Sequence, residues 1–263
     1  MSVFDREYGP QEREERAVDE FDRVRLDGIG EVEVSLGDAN RVVVEAPEEL
    51  LDKIETRVDR GTLELGPRGR QVLRSWGGAR IRYEITARSL RGLAIDGSGS
   101  ITAPDLRSES MSVEIDGAGR ISLRAVDAAQ LHVAVDGAGR VSIASVRARE
   151  SRYVIDGAGT VDVGRLEGDE TEVRIDGQGR VTAAGAVRRL SVVIDGTGEA
   201  DAQDLHASAV EVRIDGVGKV RTRADKTLDV RIDGFGRVEY AGDPLVHQRI
   251  DGAGRVVRAG EAA

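Results

Sequence analysis

The chain has 263 residues and a formal net charge of −10, with 48 acidic against 38 basic side chains. This balance argues against nucleic acid and anionic membranes as partners, because both are themselves negatively charged. Cysteine is absent, which excludes disulfides and thiolate metal sites. No run approaches the roughly 18 apolar residues of a membrane span, and no apolar signal segment follows Met1. As written, the sequence therefore predicts a cytoplasmic protein, or a cell-envelope protein if an export signal has been removed.

Residues 1–20 are polar and acidic, and they predict a charged N-terminal arm, either flexible or a short helix. Residues 21–92 show an irregular β pattern, which predicts terminal coils and a cap. Val24 and Leu26 alternate into a turn at residues 27–30, and residues 47–54 predict one or two helical turns that begin at a proline. Arg60-Gly61 predicts a hairpin-like turn between two strands.

Residues 66–78 form the clearest loop of the chain and contain its one tryptophan, Trp76. Carbohydrate-binding grooves commonly use aromatic side chains as platforms. Trp76 is therefore the candidate residue for the wall of a ligand groove.

From residue 93 onward, the phrase Asp-Gly-x-Gly recurs nine times at steps of 18 to 20 residues. A fixed period of this length without helical segments is typical of a solenoid, in which each repeat forms one coil. The aspartates of the nine phrases are Asp96, Asp116, Asp136, Asp156, Asp176, Asp195, Asp215, Asp233 and Asp251.

Within one coil, apolar residues alternate with polar ones on both sides of the turn, as in Val113 and Ile115 before it and Ile121 and Leu123 after it. This pattern is strand, turn, strand, with Gly117 and Gly119 expected at positive φ. Three apolar ladders result, and the third consists of Leu106, Val126, Val146, Leu166, Ala186 and Leu205. We therefore predict an all-β fold, a right-handed parallel β-helix with coils of about 20 residues over residues 93–258 and a tail at 259–263.

The row of aspartates allows three interpretations. The first is structural: each carboxylate accepts backbone N–H groups of its own turn. Cationic residues four positions later, such as Arg120 and Arg140, would then balance the charge. The second is a calcium ladder, because oxygen ligands at a regular spacing suit that ion. The third, a catalytic subset, has the weakest support. The Gly-x-Gly element is not a nucleotide loop, because no helix follows it.

The other candidate groups for chemistry are scattered. His132, His206 and His247 are isolated and predict surface positions rather than metal ligands. No nucleophile elbow occurs. The sequence therefore predicts no catalytic residues, no metal site and no cofactor, with a carbohydrate-active enzyme as the alternative.

Several segments together resemble one family. These are residues 21–24, residues 31–37, the step at residues 60–65, and the coil at residues 95–101, which reads Ile-Asp-Gly-Ser-Gly-Ser-Ile. Over about residues 18–258 the chain resembles the head GIN domain family, a domain of unknown function labelled as an auto-transporter adhesin. The resemblance implies a β-helix. Family members usually carry an export signal, which is not recognised here, and the aspartate before the first glycine is more uniform here.

Three functional hypotheses follow. The first is a non-catalytic, adhesin-like scaffold that binds a protein, or a second copy of itself through the coil edges. The second is a carbohydrate-binding or polysaccharide-acting β-helix. The third is a scaffold stabilised by calcium.

Overall fold

The computed structural model describes residues 8–69, 76 and 78–259. It is 77% strand and 2% helix, and its stacked parallel coils form a β-solenoid of about 8 turns. The predicted all-β, parallel solenoid is thus confirmed, while the hand of the superhelix stays a prediction. The elements are β1 Gln11–Arg16, β2 Arg23–Leu36, β3 Arg41–Pro47, α1 Glu48–Leu51, β4 Ile54–Asp59, β5 Thr62–Pro67, β6 Arg82–Ala87, β7 Gly92–Gly117, β8 Arg120–Val135, β9 Arg140–Ile155, β10 Thr160–Ile175, β11 Gln178–Ile194, β12 Thr197–Ile214, β13 Val217–Ile232, β14 Phe235–Ala241, β15 Leu245–Ile250 and β16 Ala253–Arg258.

Each long strand bends twice and so contributes to three faces of the solenoid. In β8, residues 130–135 lead into the next Asp-Gly turn, and we call this side face A. Residues 120–123 follow the preceding turn and belong to face B, and residues 125–128 form face C. Neighbouring coils pair in parallel on all three faces, for example Ile121 with Val141 on face B. Between β7 and β13, equivalent residues therefore stack in columns.

The apolar columns fill the interior because β-branched side chains stack well on a pleated surface. The isoleucines before the turns are at most 1% exposed from Ile95 through Ile232. One predicted member of the third ladder is wrong, because Ala186 is exposed. The repeat shortens to 19 residues there, so Gly185 takes the place opposite Leu166 and Val187 is buried instead.

The isolated phrase at residues 27–30 is the first turn of the stack. Asp27 pairs with Asp96 and Gly28 with Gly97 in a parallel register that continues through the turn. The stack therefore begins with β2. Residues 8–22 and the chain between β2 and β7 build the end of the solenoid that we call the head.

At the head, β5 and β6 pair in parallel with the outer edge of β2. Three antiparallel strands follow them outward: β4 on face A, and β3 and then β1 on face B.

The prediction of an arm or helix is wrong for residues 11–16, which form β1; residues 1–7 lie outside the described residues. The predicted turn between β4 and β5 is confirmed, and Arg60 and Gly61 both have positive φ, at 49° and 78°, as two-residue hairpins favour.

The interior is closed at the head by large apolar side chains. The predicted helical turn is α1, with Pro47 as its N-cap and Glu48 and Glu49 in its first turn, and it buries Leu50 and Leu51. Trp76 is 0% exposed in the same core. None of the helices in the described part of the chain is long and apolar enough to cross a membrane.

The last coil is built differently. Its face A strand is β15, which pairs with β13, and its face B strand is β16, which pairs with β14. Over residues 8–69, 76 and 78–259, no further strand covers the outer edges of β15 and β16. We call this end of the solenoid, residues 235–259, the tail; residues 260–263 of the predicted terminal segment 259–263 lie outside the described residues.

Candidate functional site

The Asp-Gly turns stack on one another and form a ridge between faces A and B. The Asp136 amide donates to the Ile115 carbonyl one coil below at 2.8 Å, and the Ala138 amide donates to the Gly117 carbonyl at 2.8 Å. The same bonds recur along the stack, which places the carboxylates of the nine predicted aspartates, and that of Asp27, in one row. We call this row the Asp ridge.

The first glycine of each turn is required by the coil below it. A Cβ on Gly137 would lie 2.2 Å from the Gly117 oxygen, a distance that no side chain tolerates. The second glycine lies over an isoleucine of the coil below, and a Cβ on Gly119 would come within 2.9 Å of Ile95 methyl groups. Gly117 has positive φ as predicted, whereas Gly119 does not. Close stacking, rather than torsion freedom, therefore explains the second glycine.

Arginines that stand two residues before an aspartate neutralise four of the five later carboxylates of the Asp ridge, whereas Asp233 forms no ion pair within 4 Å among the described residues. The N–O distances are 2.6 to 2.9 Å, and Arg174 contacts two successive carboxylates; the pairs are Arg174–Asp176, Arg174–Asp195, Arg213–Asp215 and Arg249–Asp251. Where the cations four residues after the aspartates form ion pairs, they contact other acids: Arg140 contacts Asp162 at 2.7 Å, Arg180 contacts Glu199 and Arg237 contacts Glu239. The charge balance of the ridge thus comes from positions that the sequence analysis did not single out.

The earlier part of the Asp ridge has no such partner. Asp96, Asp116, Asp136 and Asp156 form no ion pair within 4 Å among the residues that the structure describes. Ala94 and Ala134 stand two residues before two of them, where the later coils have arginine. This half of the ridge is therefore a row of exposed, uncompensated carboxylates.

Two neighbouring carboxylates of the ridge titrate in opposite directions. The hydrogen bond from Arg213 lowers the pKa of Asp215 below the ordinary aspartate value. Partial desolvation raises the pKa of Asp195, although Arg174 acts in the other direction. Ionisation is thus favoured at one coil and disfavoured at the next.

The ridge is a poor fit to calcium. Among the described residues, no group of three or more His, Cys, Asp or Glu side chains is placed to hold a metal ion. Between Asp176 and Asp195, the Arg174 guanidinium already contacts both carboxylates, at 2.8 and 2.6 Å. A cationic side chain therefore stands where a shared metal would bind.

Trp76 is not available as a ligand platform. Its side chain is fully buried, and its indole Nε1 has no hydrogen-bond partner. The neighbouring loop residues 70–75 and 77 lie outside the described residues. Trp76 belongs to the core at the head, so it cannot stack its ring on a sugar at the surface.

The site that the sequence analysis missed is a cleft on face A, which we call the A cleft. It has a volume of about 450 Å³ and crosses five coils, from Ser110 to Ser191. Carboxylates, arginines, a glutamine and an exposed histidine line it: Gln130, His132, Glu150, Arg152, Glu170, Glu172 and Arg189. His132 faces solvent there, as predicted.

Cross-coil contacts hold the polar side chains of the A cleft in place. Arg152 lies 3.0 Å from Glu172, and Arg189 lies 2.9 Å from Glu170. Gln130 donates to Glu150 at 3.2 Å. The cleft therefore presents both signs of charge at fixed positions, so it suits a partner with charged and hydrogen-bonding groups of its own.

Two buried hydroxyl groups lie in the floor of the A cleft. Ser151 and Thr171 are 4% and 3% exposed and share a hydrogen bond of 2.9 Å. They occupy a column that holds leucine at 131 and 190. Next to them in the core is Tyr153, whose burial raises its pKa. Two polar residues in an otherwise apolar column are the signal by which the sequence could have indicated this place.

Known structures share this architecture. A "putative adhesin" from Parabacteroides merdae aligns with a TM-score of 0.70 at 18% identity, over 95% of this chain and 97% of that one. A "putative adhesin" from Parabacteroides distasonis gives 0.68 at 18% over 95% and 98%. A "putative lipid binding protein" from the same species gives 0.67 at 21% over 95% and 97%. At these identities the similarity establishes the fold alone.

No curated protein matches the sequence. A family model, however, matches residues 20–182 and 141–244, which together cover most of the chain and its turns. Its match to the stacked coils and the Asp-Gly ridge confirms the resemblance seen in the sequence. The chain belongs to the family described as "Putative auto-transporter adhesin, head GIN domain".

Proposed function

We propose that the protein is a non-catalytic, adhesin-like interaction protein that binds a protein partner through the A cleft and associates with itself through its coil edges. The A cleft is the observation that carries the first part. Its charged side chains are held between coils by ion pairs of 2.9 and 3.0 Å, so little side-chain freedom is lost on binding. A stack of hydrogen-bonded coils also provides a rigid support for such a surface.

Family membership supports the adhesin-like part of the proposal and a location in the cell envelope or at the cell surface. The family description names auto-transporter adhesins, and this favours the envelope over the cytoplasmic location that the bare sequence suggested. Fractionation of the native cells with an antibody to the chain tests the location. Recovery in the cytosolic fraction alone would contradict it.

Adhesion is tested by coating beads with the full chain and measuring their retention on layers of bacterial cells and on immobilised fibronectin, collagen and mucin. We expect saturable retention on at least one of these surfaces. Arg152→Glu should reduce the retention at least tenfold, because it reverses a charge in the centre of the A cleft and places two acids side by side.

Arg124→Glu is the matched control. It makes the same charge change and also breaks one exposed ion pair, that of Arg124 with Asp105 at 2.6 Å, but it lies outside the A cleft. Equal losses for both variants, or no retention on any surface, would contradict the proposal.

A carbohydrate partner is the second candidate, and the hydroxyl and carboxylate groups of the A cleft favour it, since sugars are bound by such groups. The aromatic residues do not add to it, because Trp76, Tyr83 and Tyr153 are fully buried and the exposed Phe235 lies outside the A cleft. A glycan array separates the two candidates. Binding to one glycan class that Arg152→Glu abolishes would replace the protein partner with a sugar.

A further inference from the structure

In the part of the chain that the structure describes, no residue closes the interior of the solenoid at the tail. The columns that are fully buried at Leu228, Ile232 and Val238 continue into the last coil, where their members lose that cover. There Ile250 is 36% exposed, and Val246 and Val256 are partly exposed. Leu245, at the beginning of β15, is 62% exposed. Val246, Ile250 and Val256 form an apolar surface that we call the tail surface, with the polar Gln248 in the same inward row of β15. Leu245 continues the outward column of Thr227, so its side chain lies on the outside of face A.

The tail surface is bordered by unpaired backbone. Among the described residues, β15 pairs only with β13 and β16 only with β14. Each therefore presents a row of free N–H and C=O groups on its outer side, a ready template for another strand. Apolar surface and open edges occur together at this end.

Among its described residues, the head offers no matching surface. Its interior is filled by Trp76 and Leu50. The outermost strand on face B, β1, places Glu12, Glu14 and Arg16 opposite the inward residues of β3. Inward-pointing charges on an edge strand oppose the addition of another apolar strand. A head that covered the tail surface would have to bury these charges.

Charge also separates the two ends. Residues 8–20 of the head carry five acids against two arginines, so two heads repel each other. Residues 235–259 of the tail carry four arginines against three acids, and each acid lies within 3.3 Å of an arginine. The tail is thus nearly neutral in a strongly acidic chain. Attraction between head and tail would rest on exposed charges, which contribute less than apolar burial does.

We propose that two copies of the chain join tail to tail into a closed, two-fold dimer in which each tail surface covers the other. This inference deepens the self-association of the proposed function and rests on it. A two-fold axis across the stack reverses the strands, so the edges of β15 and β16 meet antiparallel partners, the more stable ladder. Such a contact is the same patch on both copies and stops at two.

The size of the end fits a reversible dimer. A coil of 18 residues, the last step of the repeat, has a perimeter of about 60 Å at roughly 3.3 Å per residue. With its outer side chains, its end covers on the order of 500 Å², so two ends bury about 1,000 Å², the lower limit of specific interfaces. We expect a Kd in the micromolar range.

The first test is the light-scattering mass of the full chain between about 1 and 500 μM. We expect the mass to rise from that of a monomer to that of a dimer and no further. The double variant Val246→Arg/Ile250→Arg should weaken the dimer at least tenfold, because both residues continue buried columns into the tail surface. Val217→Arg is the matched control, because Val217 is 52% exposed on the turn ridge, away from the tail surface. Melting curves establish that each variant is folded.

A chemical test assigns the polarity. The chain has no cysteine, so one introduced thiol is the sole site for a short bis-maleimide. The variant Val257→Cys on β16, tested by itself, should give cross-linked dimers. The variant Glu12→Cys on β1 should give no cross-link, either by itself or to Val257→Cys in a mixture of the two. Cross-links that appear only in the mixture, or growth beyond a dimer, would replace this contact by head-to-tail stacking. A monomer at every concentration would also overturn the proposal.

The adhesion assay keeps the two proposals apart. Beads carrying the double variant test partner binding without the dimer. If the wild-type chain is monomeric and the beads still adhere, the tail-to-tail contact alone is refuted. If the dimer forms and no surface retains the beads, partner binding fails and the dimer stands.

Discussion

At Gly137, the carbon atom that alanine would add lies 2.2 Å from the Gly117 carbonyl oxygen. The oxygen accepts a hydrogen bond from the Ala138 amide, and the added carbon is attached directly to the backbone of the next coil, so neither can move without separating two coils. We expect Gly137→Ala to lower the free energy of unfolding by about 2 kcal/mol or more, as overpacked sites do. Urea unfolding measures this.

Gly119→Ala is the control for Gly137→Ala. Its added carbon meets methyl groups of Ile95 at 2.9 Å, and a side chain can turn away where backbone cannot. The loss should be clearly smaller than for Gly137→Ala. Equal losses would show that the kind of atom contacted, backbone oxygen or side-chain methyl, does not determine the cost.

Asp215 and Asp195 give opposite predictions for pH. The pKa of Asp215 is lowered in the folded state by Arg213, so its stabilisation is present above the unfolded pKa of about 3.9 and is lost as the pH falls through the folded value. Asp215→Asn should therefore lower the melting temperature at pH 7, and this difference should shrink as the pH falls below about 3.9. The effect should stay below about 1 kcal/mol, as for other exposed pairs.

The pKa of Asp195 is raised by partial desolvation, so its ionised form weakens the fold at neutral pH and protonation relieves this. Asp195→Asn should leave the melting temperature unchanged or raise it at pH 7, with the difference fading at acid pH. Melting curves from pH 3 to 7 compare both variants. A loss at pH 7 for Asp195→Asn would contradict this assignment.

Between β9 and β10, the hydroxyls of Ser151 and Thr171 satisfy each other in the core. Ser151→Ala and Thr171→Val each leave one buried hydroxyl without its partner, which costs about 1–3 kcal/mol. The double variant removes both groups and should lose less than the sum of the two. A double-mutant cycle by urea unfolding tests this, and strict additivity would show that the two hydroxyls act independently.

The large apolar side chains that close the interior at the head should stabilise mainly the coils next to them. Trp76→Ala removes a fully buried indole and should cost about 3–5 kcal/mol. Since the coils of a solenoid contact mainly their neighbours, the loss should fall on β2 to β7 while β10 to β13 remain protected. Hydrogen exchange resolved by segment measures this. Equal loss of protection along the whole chain would contradict it.

The repeat made the regular coils predictable, because a fixed period and alternating apolar residues determine which positions face inward. The ends were not predictable in this way. Residues 11–16 carry five charges and no apolar side chain, yet they form β1 because the free edge of β3 offers backbone partners. Periodicity also says nothing about which outward side chains meet across coils. The A cleft, defined by Arg152, Glu172 and their neighbours, therefore did not emerge from the sequence.

The calcium alternative concerns the whole stack, since the Asp ridge runs along it. Because Arg174 contacts two ridge carboxylates and no described group of acids is placed to hold a metal, chelation should not matter. We expect the melting temperature of the full chain to agree within about 1 °C in EDTA and in millimolar calcium, since binding at saturation would raise it through mass action. A clear rise with calcium would establish the ladder as a metal site.

The order of coils in space differs from their order along the chain, and this bears on how the molecule assembles as it emerges from a ribosome or a translocation pore. β2 lies between β5 and β6 on one side and β7 on the other. In an emerging chain, β2 therefore lacks its β7 partner until about residue 100 has appeared. From there each further 20 residues or so add one coil to a completed edge. Folding of the emerging chain is thus slow to nucleate and then proceeds coil by coil. Each added coil can pull the following segment out of the ribosome or pore.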